Sequence, residues 1–164
     1  ELGESLLRAQ QSLPPTGAVA AILENVVLAQ LNLKQDAQAA PWFDKAKQDL
    51  ELLDYLRFSY RIYGEAEGRE RERIGAGSDL IAFGPADESA ALVRELTALV
   101  KKVDGQNAAR AFLQERADQV WKKVSAPDSG ADAGRAAEQL AAAWGDLGDQ
   151  AKQAAWAAKA AGAK

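Results

Sequence analysis

Apolar residues recur at steps of three and four along most of this chain, and the densest run is residues 42–63, WFDKAKQDLELLDYLRFSYRIY. Phe43, Ala46, Leu50, Leu53, Leu56, Tyr60 and Tyr63 form one helical stripe. Leu52, Tyr55, Phe58 and Ile62 form a second strip beside it. No Gly or Pro interrupts the run, and it holds six of the eleven aromatic residues. The pattern predicts one long central helix, apolar on more than one face and therefore covered on more than one side.

Shorter helices are expected around it. Leu2, Leu6, Ala9 and Leu13 share a face over residues 2–13, and Pro14-Pro15 stops that segment. Thr16 is placed to cap the next helix, residues 17–33, on which Ile22, Val26, Ala29 and Leu33 align beside Leu23, Val27 and Leu31. Pro41 suits the first turn of the long helix, where a missing N–H costs least. The Glu65–Arg69 and Glu67–Arg71 pairs are spaced to carry that helix on to about residue 73.

The glycine-rich stretch 75–86, GAGSDLIAFGPA, breaks the pattern and reads as an irregular linker. Asp87 then looks like an N-cap. Leu92, Leu96, Leu99 and Val103 mark one helix, and Gly105 ends it. Leu113, Ala117, Val120 and Val124 mark the next, flanked by Phe112 and Trp121. Helices joined so tightly form an antiparallel hairpin. After a loop at residues 125–132, Ala133, Ala137, Leu140, Trp144 and Leu147 line one more helix, Gly148-Asp149 turns the chain, and a last helix runs to about residue 161 with Trp156 on an Ala-rich face.

The expected fold class is therefore all-α, with antiparallel helical hairpins around one long central helix. The organisation is a single helical domain with two lobes, residues 1–74 and 87–164, joined by the 75–86 linker.

Leu140, Ala141, Trp144, Gly148 and Asp149 carry a Leu, a small residue, an aromatic three positions on and a Gly-Asp turn, and Ala160 supplies a late small residue. In these positions residues 140–160 resemble a tetratricopeptide repeat. Ala39, Phe43 and Ala46 echo the second helix of the motif within residues 27–46, with a register slip of one against the first helix. Gln153 and Ala157 stand where the motif has a small residue and an aromatic, and the hairpin between residues 89 and 124 shows no match. The resemblance covers about a third of the chain. It implies stacked helical hairpins that hold another protein; an irregular helical bundle is the alternative architecture.

Composition narrows the chemistry. The 164 residues are 48% hydrophobic and 27% charged, enough to bury a core without disulfide or metal. His, Cys and Met are absent, so no disulfide, no Cys- or His-ligated metal site and no Cys- or His-based nucleophile pair exists. The net charge of −4 argues against nucleic acid as a partner. Arg57 and Arg61 lie among aromatics, but two cations are too few for a phosphate track. The 75–86 stretch lacks the Lys-Ser/Thr pair of a phosphate loop. Asp49, Glu51 and Asp54, or Glu65, Glu67, Glu70 and Glu72, read as solvated helix carboxylates with no apolar surround to raise a pKa.

No apolar run approaches the roughly 18–20 residues of a membrane span. The chain starts at Glu1, not Met, which leads to the expectation of a removed signal peptide or a fragment, with an exported, periplasmic setting favoured over a cytoplasmic one.

The functional expectation is a bacterial, non-catalytic protein–protein interaction module, a scaffold or assembly factor, whose partner is another protein or a second copy. No cofactor and no catalytic residue is expected. The partner surface is placed on Leu52, Tyr55, Phe58 and Ile62, with Leu80, Ile81 and Phe83 of the linker either docking a partner or folding back on the body. The alternatives are a structural or oligomeric subunit of a larger complex, and a small-molecule-binding helical protein with its cavity beside residues 55–63.

Overall fold

The structure, a computed structural model, describes residues 17–163. The expected helix at residues 2–13, its Pro14-Pro15 stop and the Thr16 cap lie outside the described residues. Among those described there are eight α-helices and no strand, so the chain is all-α as its pattern predicts. It divides into two compact units between Arg73 and Ile74.

In the first unit, α1 (Gly17–Asn32) and α2 (Asp36–Asp49) form a hairpin. Its turn is a Schellman motif built on a lysine: Lys34 sits at φ 57°, the Lys34 amide donates to Leu31 O and the Gln35 amide to Gln30 O. α3 (Leu52–Glu65) packs on both. The core joins Leu23, Val27 and Leu31 of α1 to Ala39 and Ala46 of α2 and to Phe58 and Ile62 of α3.

The expected long central helix is two helices. Leu50 is extended at φ −101°, ψ 148°, and α3 restarts after Glu51. No Gly or Pro marks the break. Its cause is burial: a straight helix carries two apolar strips on different sides, and a bend lets Ala46 of α2 and Phe58 and Ile62 of α3 enter one core with α1. The break leaves Leu50 partly buried against that core, while Leu52 starts α3 in solvent.

The expected extension to residue 73 is also broken. α3 ends at Ala66, whose amide donates to Ile62 O, and Gly68 takes the left-handed conformation at φ 74° before α4 (Glu70–Phe83) begins. This turn buries Ala66 and swings Arg69 away from Glu65, to pair with Asp36 of α2 and, at 2.9 Å, with Glu72.

The stretch expected to be irregular is thus largely helix α4. Ala76, Gly77, Leu80 and Ile81 are buried at i, i+1, i+4, i+5 spacing. The two glycines, each about 1 kcal/mol poorer in a helix than Ala, masked that face, and its burial outweighs them. The stop does fall at Gly84-Pro85. There Lys123 Nζ donates to Ile81 O at 3.1 Å and to Gly84 O, closing the carbonyl end of α4.

The second unit holds two helical hairpins. α5 (Ala86–Asp104) and α6 (Gln106–Val124) are joined by Gly105 alone, at φ 88°. α7 (Ala133–Asp146) and α8 (Gln150–Gly162) are joined through Gly148 at φ 72°. Each helix packs on its hairpin partner; α5 also packs on α7, and α7 touches α6. First helix against first helix is the contact of stacked hairpins. The α6 stripe Leu113, Ala117, Val120 and Val124 is fully buried, as its spacing predicts.

On α5 the buried face is Ser89, Ala90, Val93, Leu96, Thr97 and Val100, and Leu92, Leu99 and Val103 are only half-buried. The helix is rotated from the expected stripe because its two hydroxyls satisfy themselves. Ser89 donates to Pro85 O and Thr97 to Val93 O, each at 2.7 Å, which removes the cost of burying them. The α5 N-cap is Pro85, and Asp87 lies in the first turn.

Candidate partner-binding surface

Of the residues expected to meet a partner, four are buried within the fold. Phe58 and Ile62, 3% and 2% exposed, belong to the first unit's core, and Tyr55 packs half-buried against it. Leu80 and Ile81 are buried in α4. Leu52 at 60% and Phe83 at 67% stand in solvent, one in each unit.

Beside Tyr55 and Tyr63 the aromatics pack on one another. Phe43 stacks on Tyr63 at 5.2 Å between centroids and meets Phe58 edge-on at 5.8 Å. Burial pushes the Tyr63 phenol above its ordinary pKa, and Tyr55, Glu72 and Asp36 add to the rise against an opposing pull from Arg69. Arg73 lies over the Tyr60 ring, with its guanidinium 4.9 Å from the centroid, and donates to the Tyr60 hydroxyl at 3.3 Å. Arg61 pairs with Glu24 across α3 and α1. These groups brace the first unit.

In the second unit the repeat-like residues have definite structural jobs. Leu140 and Trp144 have no exposed surface and Ala160 is buried. The Asp149 amide donates to Trp144 O at 3.0 Å, and the Asp149 carboxylate accepts from the Lys152 amide, capping α8. Asp132 caps α7 in the same way, accepting from the Arg135 amide at 2.8 Å. Lys152 Nζ lies 4.0 Å from the Trp144 ring centroid and donates to Gln114 of α6.

The two hairpins are clamped where α7 ends. Arg94 Nε lies 2.8 Å from Asp146 Oδ2, and this bond raises the Arg94 pKa. Lys101 donates to Asp146 O at 3.1 Å, and Gln106 donates to Leu147 O at 2.6 Å, with Arg110 3.5 Å from the same oxygen. The carbonyl end of α7 therefore meets donors from the preceding hairpin. Sequence reasoning missed this clamp, because the pairs lie 37 to 52 residues apart.

On another side of the second unit is an open cleft of about 820 Å³. The end of α6 (Trp121, Val124), loop residues 125–127 and 129–131, Ala133 and the end of α8 (Lys159) wall it. Trp121 meets Trp156 edge-on at 5.5 Å, with ring planes at 78°. Lys159 Nζ sits over both indoles, 3.9 Å from the Trp156 centroid and 5.2 Å from that of Trp121. The sequence pattern places Trp121 only beside the α6 stripe. Its role emerges when the second hairpin brings Lys159 and Trp156 beside it.

Among the described residues, no helix is long and apolar enough to cross a membrane. No family model, curated protein or solved structure matches the chain.

Proposed function

We propose that this chain is a non-catalytic protein–protein interaction module, a scaffold or assembly factor that holds another protein on its helical hairpins. The observation that carries the reading is the second unit, where α5 and α6 stack on α7 and α8 with first helix against first helix. Stacked hairpins present a long surface fixed by their packing, and such surfaces suit extended partners. The repeat-like residues Leu140, Ala141, Trp144, Gly148 and Asp149 support it by building the last hairpin's core and turn. The open cleft beside Trp121 offers a half-buried indole, a side chain that dominates many protein interfaces.

The test is co-purification of the full chain from its native source under gentle conditions, followed by size-exclusion chromatography of the eluate. A partner of defined stoichiometry that co-migrates and rebinds the purified chain is the expected result. A lone monomer overturns the reading.

An oligomeric subunit is the second reading, and α8 favours it. Ala151, Ala154, Ala155, Ala158 and Ala161 are all exposed there, and small side chains allow another helix to approach closely. Light scattering separates the two: a mass that stays dimeric or larger on dilution supports self-assembly, and a strict monomer rejects it.

A further inference from the structure

One cation, Lys159, and no carboxylate lines the Trp121–Lys159 cleft. The chain is acidic, with a net charge of −4. Yet the helix stretches beside the cleft, residues 118–125 and 149–162, hold Lys122, Lys123, Lys152 and Lys159 against Asp118 and Asp149. Lys123 is turned to the Ile81 and Gly84 carbonyls, and Lys152 is held over Trp144 and on Gln114. Lys122 is exposed. Lys159 lines the cleft, is exposed, and rests on two indole faces with no carboxylate among the described residues paired to it. The loop brings Asp128 and Asp132; neither lines the cleft, and Asp132 is occupied in capping α7.

We propose that this cleft docks an acidic peptide segment of a partner protein, with a carboxylate on the Lys159 ammonium and an apolar side chain against Trp121. The indoles hold the ammonium at the cleft wall without neutralising it, because a ring quadrupole carries no net charge. All its charge stays available to an incoming carboxylate. Trp121 and Val124 supply the apolar wall that rewards a hydrophobic neighbour of that carboxylate. The cleft is open along its outer side, so an extended chain can lie across it with one side chain against Trp121. This inference rests on the interaction-module reading and names the chemistry of its partner.

The test uses the full chain and fluorescein-labelled peptides of equal length that alternate leucine with glutamate, glutamine or lysine, read by fluorescence anisotropy. The Leu–Glu peptide is expected to bind more tightly than the Leu–Gln peptide, to weaken as salt is raised, and to quench tryptophan emission. Lys159→Gln is expected to weaken it at least fivefold, and Lys159→Glu further. Lys159 is exposed, so both variants fold, which circular dichroism verifies. Trp121→Ala is expected to weaken the Leu–Glu and Leu–Gln peptides by a similar factor. The inference is overturned if the Leu–Lys peptide binds as tightly, if Lys159→Gln binds like wild type, or if the Leu–Glu peptide shows no binding at millimolar concentration. A co-purifying partner that binds Lys159→Gln as tightly as wild type leaves the interaction module standing and removes the cleft from it.

Discussion

The Gln153 carboxamide of α8 lies over Gly145 of α7, so close that a Cβ placed on Gly145 would stand 2.9 Å from its Nε2. Gln153 fills a position where a tetratricopeptide repeat has a small residue, and the glycine opposite makes room for it. Only the far end of a flexible, exposed side chain stands in the way. Gly145→Ala therefore gains about 1 kcal/mol of helix propensity and loses part of it in moving the carboxamide. Urea unfolding should show a net gain of about 0.5 kcal/mol, and Gly145→Ala with Gln153→Ala should exceed it. A loss of stability in the single variant would mean that the carboxamide is fixed in place.

The α1–α2 turn holds Lys34 at φ 57°, where an L side chain is strained. The Schellman hydrogen bonds of Lys34 and Gln35 keep it there. Lys34→Gly relieves the strain and should stabilise the first unit by about 0.5–1 kcal/mol, the left-handed penalty less the extra entropy of glycine. Thermal unfolding of Lys34→Gly beside the wild type, followed by circular dichroism, checks this. An unchanged or lower midpoint would count against the left-handed turn.

The rotation of α5 separates two leucines that the sequence pattern puts on one stripe. Leu96 is fully buried and Leu92 is half-buried. Leu96→Ala is expected to cost about 2–5 kcal/mol, whereas Leu92→Ala should cost about 1 kcal/mol. Thr97→Val should be close to neutral, because the lost hydroxyl bonds only within its own helix. Guanidinium midpoints of the three variants decide the face, and equal losses at positions 92 and 96 would reject it.

Burial holds the Tyr63 pKa above its ordinary value of 10.0, and Tyr55, Glu72 and Asp36 reinforce the shift. The folded chain therefore keeps this proton after the unfolded chain has lost it. Its contribution to stability is complete below pH 10 and is lost as pH rises through the folded pKa. Tyr63→Phe should flatten the fall of the melting temperature above pH 10, while the two proteins follow parallel curves at lower pH. Parallel curves throughout the alkaline range would show that Tyr63 titrates normally.

Helical content was readable from residue order alone. The steps of three and four are present in every helix but α4, where glycines hide them, and Gly105 and Gly148 mark turns that only a glycine makes without strain. The α6 stripe and the Leu140–Trp144 face were correct because each follows a single apolar strip, and one strip has one way to be buried. Around residues 42–63 two strips compete, and periodicity has no means of choosing between a straight helix and a bent one. The shared core of Ala46, Phe58 and Ile62 with α1 chooses the bend. In α4 and α5, Gly75, Gly77, Ser89 and Thr97 disguised faces that bury well once neighbours cover them and hydroxyls find acceptors in their own helix.

The sequence by itself determined an all-α chain, the places of its tightest turns and the absence of Cys and His chemistry, since each depends on neighbouring residues or on composition. Tertiary structure alone decided that Phe58 and Ile62 are core, that donors from α5 and α6 close the end of α7, and that Trp121, Trp156 and Lys159 meet. Those are contacts between residues far apart in the chain, and a local pattern records only which face of a helix is apolar, never what that face will touch.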